Sequence, residues 1–358
     1  MKSRTAGDWD AVRRGHRQVA RAELWYPSGY VADVPIYKGS VTKTLSSGQG
    51  QWSGNLETAG YEWYPILDPV NNGWIKVIIA VEESEWVIGT FPILTVSEKR
   101  PSGGVSVSLS DWSYRRSRSE AESSFIINPG SSVAETVRLY MSHVLPDPNT
   151  TIEMDDSNGA LSVSIISQGV GSSVWNALTE IANQVGCIVE VPSRNTIAIR
   201  KYDPYAPYHE DVTGTVISMV STSDVAGEAL INQVRVFMDN ADTETAGDTY
   251  MGEVKITTGP YAFDRNGIGF GVHAEVSREN NPSANMAQTI AQRLFDRRAG
   301  ATRRLTMDTI CQPWLEAGDV IVARVTDTRI EQALINSIKY PLTVDDSMVI
   351  GTRDTDIR

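Results

Sequence analysis

From Glu23 to about Val96 the hydrophobic positions fall in short runs rich in β-branched and aromatic residues, VADVPIY, GSVTKTL, WIKVIIAV and EWVIGTFPILTV, broken by clusters of Gly, Pro, Asn and Asp. That alternation and punctuation predict a small antiparallel barrel or sandwich. WIKVIIAV and EWVIGTFPILTV meet across Glu82, Glu83 and Ser84, which predicts a hairpin with Trp74 and Trp86 placed to face a neighbour. GGVSVSLSDW supplies a further alternating strand ending at Asp111.

The period changes at about Ser131. SSVAETVRLYMSHV sets Val133, Val137, Tyr140, Met141 and Val144 on one helical face, with Ser132 and Glu135 spaced as a capping box and Pro146 as the stop. A second helix runs from Ser172 or Ser173 to Val185, with Val174, Leu178, Ile181, Ala182 and Val185 apolar and Gly186 closing it. CIVEV and NTIAIRKY follow as strand, turn and strand, and the Pro- and Tyr-rich YDPYAPYHED marks a boundary. Strands resume with TGTVISMVST and INQVRVFMD, the polar stretch from Ala241 to Asp248 reads as an exposed loop, and VKITTG follows. Asn281 and Pro282 introduce a third helix carrying Met286, Ile290, Ala291 and Leu294 to about Arg298, with Gly300 after it. TRRLTMDTI, DVIVARV, ALINSIKYPL and SMVIGTR complete a second β-rich unit, and there is no short internal repeat.

The expected fold is therefore α+β and mainly β: two small β-barrel domains with an α+β domain attached. The divisions are an N-terminal arm at 1–22, a β-barrel domain at 23–111, an α+β domain at 112–203 and a second β-barrel domain at 204–358 with a helix inserted at about 282–299. A chain of 358 residues is long enough for two to four such units.

Composition excludes several classes. A hydrophobic fraction of 41% and a charged fraction of 21% argue for a folded chain, and a net charge of -12 disfavours tight binding to a phosphate backbone. Arg4, Arg13, Arg14, Arg17 and Arg21 crowd the start, which reads as a solvated or partner-docking arm, with a DNA-binding tail as the alternative. No apolar run reaches the roughly 20 residues of a membrane span, and the first residues lack the apolar core of a secretion signal, so neither a membrane anchor nor Sec export is expected. Cys187 and Cys311 stand alone in apolar surroundings and read as reduced, buried thiols.

Candidate chemistry is thin. His16, His143, His209 and His273 are scattered and form no paired ligand set. Glu153 to Ala160 resembles a calcium loop, but Ile166 stands where a loop beginning at Asp155 needs its bidentate Glu. Gly267, Gly269 and Gly271 alternate without the spacing of a phosphate cradle and suit a twisted strand. Glu82 with Glu83 and Asp345 with Asp346 are acidic pairs that a glycosidase could use, yet adjacent carboxylates on a strand point to opposite faces. Trp52, Trp63, Trp74, Trp86, Trp112 and Trp175 lie beside strand or helix signals and are expected in cores or subunit contacts. The expectation is a non-enzymatic protein with no catalytic, cofactor-binding or metal-ligating residues and no cofactor.

The order of these pieces resembles phage tail baseplate hub proteins, particularly those of long-tailed phages of actinobacteria. Four stretches carry the likeness: Gly39 to Glu57, which resembles the strands opening the family's N-terminal barrel; Trp86 to Glu98 with the following VSLSDWS; Val174 to Pro204, similar to the family's helix, hairpin and Pro-rich exit; and NQVRVFM with the helix from about Ala284 to Arg298, PWLEAGDV from Pro313 to Val320, and Pro341 to Met348. The likeness spans nearly the whole chain, through its order more than any one motif. It implies a homotrimer whose paired β-barrels form a pseudo-sixfold ring around a channel for tape-measure protein and DNA. Above would sit the hexameric tail tube and distal tail protein, and below the tip or fibre proteins. The chain would be made in the host cytoplasm and reside in the virion at the tail tip. Some hubs carry a further peptidoglycan-cleaving or fibre-binding domain, so lysis and receptor binding are expected on other proteins. A carbohydrate-binding tail-tip module recognising host cell wall, using exposed aromatics on one β face, is the alternative.

Overall fold

The computed structural model describes residues 18–46, 49–99, 103–114, 125–126, 133–144, 151–154, 167–168, 173–184, 187–201, 207–223, 232–240, 249–257, 262–263, 273–279, 284–298, 303–326 and 329–354. The first strands are β1 (Gln18–Tyr26), β2 (Gly29–Val34), β3 (Lys38–Ser46), β4 (Gln49–Ala59), β5 (Trp74–Val81), β6 (Ser84–Lys99) and β7 (Gly104–Ser110). They are hydrogen-bonded in the order β3-β4-β7-β6-β5-β1-β2. Helix α1 (Trp63–Ile66) and a turn of 3-10 helix at Pro69–Asn71 bridge β4 to β5, the latter capped by the Asp68 carboxylate accepting from the Val70 N–H. β1 begins inside the stretch expected to be an arm, because Ala22 and Leu24 alternate inward against β5.

The β5–β6 hairpin forms as expected, with Val81 opposite Ser84 and a two-residue turn whose first residue, Glu82, takes φ 53°. Of the two uses expected for its tryptophans, core or subunit contact, the structure shows packing within the chain. Trp86 pairs in register with the fully buried Ile79, so the pleat sends it into the core, where it meets Trp314 at 5.5 Å between ring centroids. Trp74 lies edge-on to Trp112 at 5.9 Å, inside the same chain.

The next elements are β8 (Phe125–Ile126), α2 (Val133–Val144), β9 (Thr151–Met154), β10 (Ser167–Gln168), α3 (Val174–Gln184), β11 (Cys187–Ser193) and β12 (Thr196–Lys201). Both helices bury the stripes that their period predicts: Val137, Tyr140 and Met141 on α2, and Val174, Leu178, Ile181 and Ala182 on α3. These close a core of their own with Trp112, Val189, Ile197 and Ile199.

The last elements are β13 (Glu210–Asp211), β14 (Val216–Ser223), β15 (Gln233–Asn240), β16 (Thr249–Lys255), β17 (His273–Glu279), α4 (Ala284–Arg298), β18 (Arg303–Thr309), β19 (Val320–Thr326), β20 (Arg329–Pro341) and β21 (Met348–Asp354). β16, β15 and β17 make a small sheet under α4, with Val234, Val236 and Met238 against Ala287 and Ala291. The helix lies so close to β16 that a Cβ at Gly252 would sit 2.1 Å from the Ala287 carbonyl oxygen, which leaves room for glycine alone.

β14, β18, β21 and β20 continue the main ladder, and β20 pairs antiparallel with β3 from Ser337 opposite Thr44 to Pro341 opposite Ser40. The two ends of the sequence thus share one sheet and one core, in which Leu24, Leu56 and Phe91 belong to the same cluster as Met307, Ile335 and Ile350. The protein is mainly β, as expected. Residues 1–17 with Arg4, Arg13, Arg14, His16 and Arg17, Ser132, Pro146, Asp155 to Ala160, Val185, Gly186, Ala241 to Asp248, Gly267, Gly269, Gly271, Asn281, Pro282 and Gly300 lie outside the described residues.

Replacing Trp86 by Ala should cost about 3–5 kcal/mol of unfolding free energy in a denaturant titration, since the ring is lost from a packed core. In the small sheet, the Arg235 guanidinium donates to Glu253 at 2.9 Å and holds that carboxyl below its ordinary value. A carboxyl pKa lowered by folding contributes stability above the unfolded pKa, roughly 4.3, and loses it as pH falls through the folded value. Arg235→Met should therefore lower stability at pH 7 by at most about 1 kcal/mol and by much less at pH 3, measured by denaturation at both.

Candidate functional site

Among the described residues, those singled out for chemistry do not converge. His209 sits before β13, where its backbone N–H donates to the Val320 carbonyl at 2.7 Å and its Nδ1 accepts from the Val320 N–H at 3.0 Å. The imidazole thereby finishes a strand pairing, with the Asp319 carboxylate 3.9 Å away. Burial pushes the Asp319 carboxyl up, against the pull of the hydrogen bond from the Glu316 N–H. His143 and His273 lie on different elements, α2 and β17. Glu82 and Glu83 form the exposed tip of a hairpin, and Asp345 and Asp346 the exposed turn between β20 and β21, where Asp346 accepts from Thr343. Cys187 and Cys311 are thiols buried in separate cores, and burial pushes the Cys311 thiol up to about 12. Among the described residues no group of three His, Cys, Asp or Glu could hold a metal ion, and no helix is long and apolar enough to cross a membrane.

The buried polar chemistry lies where the sequence drew no attention. Asp111, just past β7, accepts from the Trp52 N–H at 2.8 Å, the Ser113 N–H at 2.9 Å and the Ser113 hydroxyl, tying the end of β7 to β4. Burial still pushes its carboxyl upward. Lys43 on β3 reaches Glu190 on β11 at 3.0 Å, with the two side chains only 4% and 5% exposed. The ammonium also lies 5.6 Å from the centroid of the Trp52 ring. The Glu190 side chain passes where Gly50 has no Cβ, since one there would come within 2.5 Å of its carboxylate.

This pair belongs to a polar seam between the main sheet and the helical unit. β11 runs parallel to β4 with one bridge, Val189 opposite Gln49, and Trp175 donates from its indole to the Gln49 side chain at 2.8 Å. The Thr90 hydroxyl accepts from the Trp112 indole at 3.1 Å and donates to the Pro192 carbonyl at 3.4 Å. Arg200 lies 3.7 Å from Glu316, and Arg194 stacks over Trp74. Directional contacts of this kind set the orientation of one unit on another, whereas apolar contact alone leaves it free to slide. The signal that could have found them is small: Lys43 inside the otherwise neutral GSVTKTL and a lone Glu in CIVEV.

Seven of the tryptophans pack inside the chain. Trp86, Trp112, Trp175 and Trp314 are buried, and Trp52, Trp63 and Trp74 pack against the cores. Exposed large apolar side chains include Ile217 and Val220 on β14, Tyr30 and Val31 on β2, and Tyr37, Val70 and Val344 between strands. No catalytic cleft assembles from the described residues that the sequence offered as candidates.

No protein-family model matches the chain, and no curated protein matches its sequence. Solved structures do. A tail protein from Neisseria meningitidis MC58 aligns over 95% of this chain and 98% of its own at a TM-score of 0.68 and 12% identity. The chain has the fold of phage tail proteins. The 43 kDa tail protein of prophage MuSo2 from Shewanella oneidensis matches over 94% of this chain and 99% of its own, with a TM-score of 0.63 and 13% identity. Prophage tail protein gp18 from Listeria monocytogenes EGD-e gives 94% and 95% at a TM-score of 0.59 and 12% identity. The tail-protein fold therefore takes in the seam and both β halves, which no local motif would have revealed.

Lys43→Met should strand the Glu190 carboxylate in the seam and cost about 3–5 kcal/mol, while Lys43→Met with Glu190→Leu should recover most of it. Chemical denaturation of the two variants beside the parent protein checks the ordering.

Proposed function

We propose that this chain is a structural component of a phage tail, and within it a trimeric baseplate hub at the tail tip. It joins the hexameric tail tube to tip or fibre proteins and surrounds the channel through which tape-measure protein and DNA pass. The observation that supports this above any other is the end-to-end likeness to tail proteins, in which 95% of this chain aligns with 98% of the Neisseria protein. A chain matched nearly end to end is matched as an architecture and not through one local motif.

The remaining expectations join the same proposal. The residues expected as an arm up to β1, the β units at 23–111 and 204–358 and the α+β unit at 112–203 divide the work, with the β units forming the ring and the α+β unit docked on it. The partners are further copies of the chain, a distal tail protein above and tip or fibre proteins below, in the virion, after synthesis in the host cytoplasm and without a membrane anchor or cofactor. The role is mechanical and not catalytic. A net charge of -12 suits a channel wall, since negative charge repels phosphates and lets nucleic acid slide past. The glycan-binding alternative draws no support from the tryptophans named above, which pack within the chain.

Light scattering on the purified chain should give three times its own mass, and a map of the assembled tail tip should place it on a threefold axis. A chain that stays monomeric both alone and inside the tail overturns the hub reading.

A further inference from the structure

The hydrogen-bonded path through the main sheet ends in two strands that have one described neighbour each: β14, which pairs with β18, and β2, which pairs with β1. We infer that β14 of one copy pairs with β2 of the next, so that the sheet continues from subunit to subunit. The inference rests on the trimeric ring proposed above and names the contact that would close it.

β14, with the sequence VISMVSTS, carries no charge or proline to protect its edge. Met219 turns in against the main core, while Ile217 and Val220 stand 65% and 62% exposed, a large apolar burden for a solvent-facing strand. The bulge between Val216 and Ser218 interrupts the ladder to β18 at Ile217 and pairing resumes at once, so the edge stays extended through Ser223. β2 presents Tyr30 and Val31, 52% and 37% exposed, and carries Asp33 as its one charge. No like charges oppose each other across such a contact, and β-branched and aromatic side chains are the residues that pair well between strands.

The occupant follows from symmetry. Two unlike free ends on one sheet meet only when different copies are placed head to tail, and such a contact closes into a ring when the rotation between copies allows. Self-pairing of β14 would instead give a two-fold dimer and leave β2 open. Inside the chain the same device already joins the two β halves, since β20 and β3 meet edge to edge. The contact between copies repeats it, and the ring becomes a single hydrogen-bonded belt.

The test uses the full chain, whose own cysteines are both buried. Val220→Cys and Val31→Cys variants, mixed under mild oxidation, should give a covalent pair containing one of each, while each variant alone should remain uncrosslinked. Val220→Lys should raise the concentration needed for half-assembly at least about tenfold while leaving the unfolding midpoint unchanged, because the side chain is already solvated in one subunit. A trimer that forms normally, gives no mixed pair and ignores Val220→Lys overturns the strand contact and leaves the ring standing. Self-crosslinking of Val220→Cys alone overturns β2 as the partner. A chain that is monomeric at every concentration and in assembled tails overturns the contact and the ring together.

Discussion

A strand edge exposes backbone N–H and C=O groups that must find partners, and the rest of this structure depends on how β3 and β20 satisfy one another. Their pairing turns two sheets, built from opposite ends of the sequence, into one path of strands over one core. Tyr340 shows how firmly the join is made. It sits beside the β3 register, stacks on Trp52 at 6.1 Å, and donates its hydroxyl to the Leu315 carbonyl. Burial pushes the pKa of that phenol far up, so the group stays a neutral donor at any pH the protein meets.

The helical unit is attached on different terms. It closes its own core around Tyr140, Leu178 and Ile181 and meets the sheet through apolar contacts of Ile188 and Trp74 together with the ion pair of Lys43 and Glu190, the indole of Trp175 and the hydroxyl of Thr90. An apolar join tolerates small slips, because one methyl contact replaces another at little cost. A desolvated ion pair does not, because any slip leaves a buried charge without its partner. A subunit that must present several surfaces at fixed angles to its neighbours gains from that rigidity.

Most elements were legible from periodicity. The stripes on α2 and α3, the hairpin at Glu82 and Glu83, and the closing strands β18 to β21 appear where alternation and the 3.6-residue repeat place them. The remainder has a common physical origin. For Trp86 and Trp74 the pattern left core and subunit contact both open, because a large aromatic on a hairpin looks exposed until the sheet that covers it is known. The cover comes from Trp314 and Trp112, remote in sequence and invisible to any local window. The start of β1 was missed for the same reason, since Gln18 to Ala22 read as strand only when β5 lies beside them.

What the sequence determined by itself is the local syntax: which runs alternate and which stretches turn helical. These follow from the pleat and the helical repeat, which act over a few residues. The tertiary structure alone decided which edges meet, so that β3 joins β20, β4 lies beside β11, and Lys43 finds Glu190. Edge pairing uses backbone groups that every residue carries, and for that reason the side-chain pattern of a strand states its faces but does not name its neighbour.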